Sequence, residues 1–154
     1  MIILGIDPGT TRVGYGVIKK DGRRLSLLSA GILGTDNKEK TLLDIKNELG
    51  KITKKFKPAT IAIEKLFFSK NQKTAIRVAE ARGVIILHSL ENKIRMEEYS
   101  PNEVKLGVTG YGFADKKAIL NMVGLILGEH NLRVIDDASD ALALAIFAAN
   151  KSGR

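Results

Sequence analysis

Cysteine is absent from the 154 residues, so the chain has no disulfide and no thiolate metal site. Its stability must come from a packed core, and a chain of this length buries about two-thirds of its unfolded surface. Tryptophan is missing too, and proline occurs only three times, at Pro8, Pro58 and Pro101. With no Gly/Ser tract and no internal repeat there is no candidate linker, and one domain covering residues 1–154 is expected. No uncharged run approaches the roughly 20 residues of a membrane span, so a soluble, cytoplasmic protein is expected. Positive charge is what the chain has in excess. Its 25 Lys and Arg against 17 Asp and Glu leave a net charge of +8, which suits a polyanionic partner.

The stretch at residues 2–10, IILGIDPGT, reads as a strand buried on both faces that ends in a carboxylate. Pro8-Gly9 turns the chain just past Asp7. An acid at the end of an apolar strand needs a partner such as a metal ion or a basic group, because an unpaired buried charge is costly. Asp7 can equally be a turn-former whose side chain bonds the backbone two residues on. Residues 12–19 alternate as a second strand whose glycines, Gly14 and Gly16, allow close approach. A turn at residues 20–23 leads to a third strand at residues 25–33, completing an antiparallel meander.

Asp36 followed by Glu39 resembles a capping box. Leu42, Ile45, Leu49, Ile52 and Phe56 then recur at helical spacing. The opposite face, with Lys46, Lys51, Lys54 and Lys55, is what a solvated surface looks like. After Pro58 a short strand, Thr60-Ile61-Ala62-Ile63, ends in Glu64. A strand after a helix favours a parallel βαβ connection, so this strand is expected beside the first, with Glu64 near Asp7. Residues 72–90 form a helix apolar round most of its circumference, which suits either a sandwiched helix or a subunit contact. A fifth strand is expected at residues 93–99, a helical turn at Pro101, and a glycine-rich loop at residues 107–113. Lys105, Lys116 and Lys117 flank that loop, a composition suited to phosphate contact. Asp115 can cap a helix ending at Gly128.

The last helix opens on Asp136-Asp137-Ala138-Ser139-Asp140. Spacing of three puts Asp137 and Asp140 on one helix face, about 5–6 Å apart at Cβ. One of Asp136 and Asp137 can be a cap or a helix-dipole partner, but three acids in five residues call for a cation. Two strand-end acids and this helical pair make an all-oxygen donor set, which selects magnesium or manganese. Two such ions about 3.5–4 Å apart can drive phosphodiester hydrolysis. Neither His88 nor His130 is assigned to metal or general-base work.

These residues lie in GIDPGTTRVGYGV, IAIEKLFFSKN, ARGV, VKLGVTGYGFADK and DDASDALALAI. Nearly end to end, the chain resembles the RuvC-type Holliday-junction resolvases of the ribonuclease-H-like nuclease superfamily. The resemblance implies an α/β fold with a five-stranded mixed sheet, three antiparallel strands then two parallel, flanked by helices. It also implies a catalytic and metal-binding set of Asp7, Glu64, Asp137 and Asp140 holding two Mg2+ ions, with Mn2+ able to substitute. DNA-binding residues implied are Phe67 as the base-stacking aromatic, together with Lys105, Lys116, Lys117 and the Arg82 of ARGV. Implied partners are four-way junction DNA, a second copy of the chain in a two-fold homodimer, and the branch-migration proteins RuvA and RuvB. Asp136, and Lys65 where the family often has glutamine, stand outside the pattern.

Two other readings remain at this level. Gly-Ile-Asp-x-Gly-Thr-Thr also resembles the first phosphate turn of sugar-kinase and actin-type ATPases, though those close two domains on the nucleotide and this chain has residues for one. A non-catalytic junction-binding module, its acids serving as caps and turns, is the other.

Overall fold

Apolar alternation and tight turns bring the first three strands together, β1 (Ile2–Pro8), β2 (Val13–Asp21) and β3 (Arg24–Leu33). They form an antiparallel meander in which Gly22, in left-handed backbone at φ 59°, makes the β2–β3 turn. The computed structural model describes residues 1–9, 12–34, 41–66, 72–129 and 132–152. The Asp36–Glu39 capping box, Phe67 and His130 lie outside them. Helix α1 (Thr41–Phe56) then crosses to β4 (Thr60–Glu64), which runs parallel to β1, as the βαβ rule requires. Helix α2 (Gln72–Glu91) crosses to β5 (Arg95–Tyr99), parallel to β4, giving the sheet order β3-β2-β1-β4-β5.

Two cores lie on opposite faces of this sheet. Leu4, Ile6, Ile61 and Ile63 point towards α1 and α2 and pack with Ile45, Leu49, Ala81 and Ile85. Ile3, Ile18 and Ala62 point the other way and pack beneath α3 (Pro101–Thr109), α4 (Lys116–Leu127) and α5 (Asp136–Lys151). Helix α5 is the centre of this second layer, with eleven buried residues from Ala138 to Ala149. Small residues on that helix and glycines beneath it allow an unusually close approach. A Cβ added to Gly5 would stand 1.9 Å from the Ala141 carbonyl oxygen, one on Gly14 2.0 Å from that of Asp137, and one on Gly16 2.7 Å from the Leu142 side chain. The glycines of β1 and β2 are therefore the bed of α5.

Several expectations need correcting. Leu42, expected in the core, is 40% exposed at the start of α1, whereas Ile45 and Leu49 are fully buried. The helical turn expected at Pro101 continues to Thr109 and includes Gly107, where a side chain would meet the Phe147 ring at 2.2 Å. Ser100 and Glu103 start this helix with a reciprocal capping box, and Gly110, at φ 78°, ends it. The glycine-rich loop is thereby shortened to residues 110–115. His88 is buried between α1 and α2, where its Nε2 lies 3.0 Å from the Thr53 hydroxyl. Burial holds its pKa below the ordinary value, so it is a structural histidine.

Candidate active site

The parallel register of β1 and β4 aligns Ile6 with Ile63, and the next residue along each strand is an acid, Asp7 and Glu64. Side chains alternate along a strand, so Asp7 shares the face of Ile3 and Gly5, and Glu64 that of Ala62. Both acids thus face α5. On the other side of Asp7, its antiparallel partner is Gly14, whose Cα lies under the Asp137 carbonyl. The first turn of α5, bearing Asp137 and Asp140, is laid across the end of β1 by the absence of a side chain at Gly14.

Among the described residues, neither Asp7 nor the acids of α5 make a side-chain turn or cap bond. The turn after Asp7 is made by backbone, Gly9 N–H donating to the Asp7 carbonyl oxygen at 3.1 Å. The N-cap of α5 is Ile135, which gives no side-chain cap, and Asp136 and Asp137 are in the first helical turn. The positive end of the helix dipole stabilises negative charge there without using it as a cap.

Electrostatics link the groups further. Burial, then the Glu64, Asp140 and Asp137 carboxylates, push the Asp7 carboxyl up to about 7, partly offset by Lys116. Glu64 is raised by burial and by Asp140, and lowered by Lys105. Asp140 is raised by burial and by Asp136 and Asp137, against the pull of Lys116 and Lys105. Acids from two strands and one helix, and lysines from α3 and α4, therefore share one field at one end of the sheet. Asp136, the extra acid, pairs with Lys116 at 3.2 Å and raises its pKa through that bond.

The candidate donors are all carboxylate oxygens, the hard ligands that magnesium and manganese take, and the raised pKa of Asp7, Glu64 and Asp140 is what a divalent cation would relieve. In that respect the residues fit such ions. Among the described residues, however, no three acidic or histidine side chains are gathered into a ready-made metal cage. Like-charge repulsion opposes such a gathering until a cation offsets it. The four acids expected to converge are thus brought to one place without being closed together.

The basic candidates divide. Lys105 is half-buried on α3, Lys116 and Lys117 are exposed at the start of α4, and the first two reach the acids electrostatically. Arg82, expected to meet DNA, is 9% exposed and turned inward. It donates to the Glu64 carbonyl oxygen at 2.6 Å and pairs with Glu98 at 2.6 Å, bracing the ends of β4 and β5. These two contacts make Arg82 a brace for the backbone that carries Glu64. Its place in an apolar helix gave no sign of this. Lys65 continues β4's pairing, its N–H donating to the Tyr99 carbonyl oxygen at 2.8 Å.

The comparisons agree with this fold. The family model for crossover junction endodeoxyribonuclease RuvC matches residues 3–148. The chain is 47% identical to the RuvC endodeoxyribonuclease of Fusobacterium nucleatum, covering 99% of this chain and 82% of that one. It is 46% identical to the Brachyspira hyodysenteriae protein of the same name, covering 99% and 96%. Among solved structures, Thermus thermophilus RuvC in complex with a Holliday junction substrate superposes with a TM-score of 0.91 at 29% identity, over 99% of this chain and 94% of that one. The sheet order and strand directions are those of the ribonuclease-H-like fold in these proteins. A family match along almost the whole length, on a fold that carries its acids at one sheet end, means that the chain belongs to the RuvC family of crossover junction endodeoxyribonucleases, the resolvases of Holliday junctions.

Proposed function

We propose that the chain cuts four-way DNA junctions by metal-dependent hydrolysis, with Asp7, Glu64, Asp137 and Asp140 holding two magnesium ions that manganese can replace. The observation carrying this reading is the shared field of acids from β1, β4 and α5 and lysines from α3 and α4. When bound, two such ions supply an activated water and neutralise charge on the leaving oxygen. The chain's own residues do the rest. The carboxylates would set where the ions, and through them the scissile phosphate, are held, and the backbone of β1 and β4 keeps Asp7 and Glu64 rigid. Lys105, Lys116 and Lys117 hold the flanking phosphates, and Phe67 receives a base unstacked at the crossover. The work is done in the cytoplasm, where RuvA and RuvB bring the junction to the enzyme.

A synthetic immobile four-way junction and a plain duplex of the same sequence, each incubated with magnesium and with a chelator, test substrate and metal together. Cleavage of the junction alone, and only with magnesium, is expected. Equal cutting of the duplex, or cutting in chelator, would overturn the reading.

Paired nicks on opposite strands require two identical sites, which a two-fold dimer supplies. Helix α2 supports such a contact. Its outward face carries Ile76, Leu87 and Leu90 at 59%, 51% and 70% exposure. Gly83 lies between them with nothing within 4 Å of an added Cβ. Replacing both Leu87 and Leu90 by arginine should weaken dimerisation by about 100-fold or more, since buried anchors each contribute roughly 2 kcal/mol. Sedimentation should then show monomers, and cleavage should stop at singly nicked junctions. A variant that stays dimeric and makes paired cuts would place the interface elsewhere.

A further inference from the structure

The loop between α3 and α4, flanked by the lysines that act on the acid cluster, shows two large rings to solvent. Phe113 is 78% and Tyr111 62% exposed, and their rings meet edge to face, centroids 5.9 Å apart. Leu106, one turn back on α3, is 57% exposed. This exposure is built into an ordered loop. The Thr109 hydroxyl donates to the Lys105 carbonyl oxygen at 2.8 Å and accepts from the Tyr111 N–H at 3.1 Å. Ala114 is buried, its N–H donating to the Tyr111 carbonyl oxygen at 3.1 Å, and Asp115 caps α4 by accepting from the Ala118 N–H at 2.8 Å. Lys105 precedes the loop and Lys116 follows it, and both act on the catalytic acids.

We propose that Tyr111 and Phe113 are a second base-stacking platform, taking an unpaired nucleobase of the strand whose phosphates Lys105 and Lys116 hold. The inference rests on the reading of those lysines as phosphate contacts. Charge selects the occupant. An apolar protein surface docking here would have to desolvate Lys116 and Lys117, whereas a DNA strand brings phosphates to the lysines and a π-face to the rings. Two rings set edge to face leave ring faces open on which a base can rest, and the cap, the hydroxyl bridge and buried Ala114 order the loop before binding, which lowers the entropic cost. Phe67 belongs to a different connection, after β4, so the platform is separate in sequence from the base-stacking residue already assigned.

The test uses the full-length protein, a chelator-containing buffer to prevent cutting, and a four-way junction carrying 2-aminopurine at successive positions around the crossover. Wild-type protein should quench the probe at one position more than Phe113→Ala does. Phe113→Ala should weaken junction binding by about 5- to 150-fold, the range for loss of one stacked base, without changing the salt slope. Phe113→Trp should restore both affinity and quenching. The thermal midpoint should be unaltered in each variant, because the ring is exposed. Binding by Phe113→Ala within twofold of wild type would overturn the proposal, as would a loss that Trp does not rescue. A salt slope lowered by about one would assign the effect to a lysine instead. Altered self-association with unchanged DNA binding would make the surface a protein interface and overturn it too. Failure of wild-type protein to prefer junction over duplex would instead sink the broader reading of function, so the two failures are distinguishable.

Discussion

Asp7→Asn should abolish junction cleavage and at the same time make the metal-free protein more stable at pH 8. On the proposed assignment, the loss follows from removing one of four charged oxygen ligands. If that ligand supplies about 4 kcal/mol of transition-state stabilisation, the rate falls roughly a thousandfold. Binding should be little changed, because affinity for a junction comes from basic residues. The gain in stability follows from the field at the sheet end. A carboxyl raised in the fold from 3.8 to about 7 is penalised when ionised, by roughly 4 kcal/mol at full effect. Because the folded pKa lies above the unfolded one, the contribution is present below about pH 4 and is lost as pH rises through 7. Wild-type protein in chelator should therefore melt at lower temperature at pH 8 than at pH 5. Asp7→Asn should flatten that dependence and raise the pH 8 midpoint by roughly 5 °C or more, equivalent to about 2 kcal/mol. Millimolar magnesium should restore most of the difference to wild type and much less to the variant, through preferential binding to the folded state. A variant less stable than wild type in chelator at pH 8, or one that still cuts, would remove Asp7 from the assignment.

Much of this arrangement was legible because it depends on local patterns. A five-residue apolar run before Asp7, a helix crossover before Glu64, and three-residue spacing between Asp137 and Asp140 each locate an acid on its element. Parallel pairing of β1 and β4 needs only the βαβ rule, and it places the first two acids side by side. The crossing of α5 was not legible. Nothing in an Ala/Leu-rich helix says which strands it lies across, and Gly14 and Gly16 read as places of close approach without saying what approaches. The inward placement of Arg82 was not legible for a related reason. Lysine and arginine look alike in a basic sequence, but a guanidinium bonded to the Glu64 carbonyl and to Glu98 is a brace inside the fold. The extent of α3 was missed because Gly107 is a weak helix former whose reason, the Phe147 ring, lies forty residues away in sequence. Tertiary contacts, which no local window contains, account for these three.

Gly14→Ala should damage catalysis far more than one methyl group suggests, because the methyl would enter the space where α5 begins. Its Cβ would lie 2.0 Å from the Asp137 carbonyl oxygen and 2.3 Å from that carbonyl carbon, both backbone atoms that cannot swing aside. The first turn of α5 must therefore lift from β2, carrying Asp137 and Asp140 away from Asp7 and Glu64. A misplacement of about 1 Å at a reacting centre can cost roughly 100-fold in rate. Overpacking itself typically costs about 1–3 kcal/mol, so the thermal midpoint should fall as well. Two comparisons separate the effects. Gly16→Ala meets the Leu142 side chain at 2.7 Å and its Cα at 2.9 Å, five residues beyond Asp137 and two beyond Asp140, and should lower stability with a smaller loss of rate. Gly50→Ala, inside α1 with nothing within 4 Å, should leave cleavage intact and raise stability by about 0.5–1 kcal/mol, the ordinary gain from removing a helical glycine. Rates are to be measured well below each midpoint, with magnesium titrated. For Gly14→Ala the magnesium requirement should rise, since the carboxylates start further apart. Cleavage by Gly14→Ala within a few-fold of wild type, at equal folded fraction and equal magnesium, would show that the first turn of α5 does not have to rest on β2 for the acids to work together.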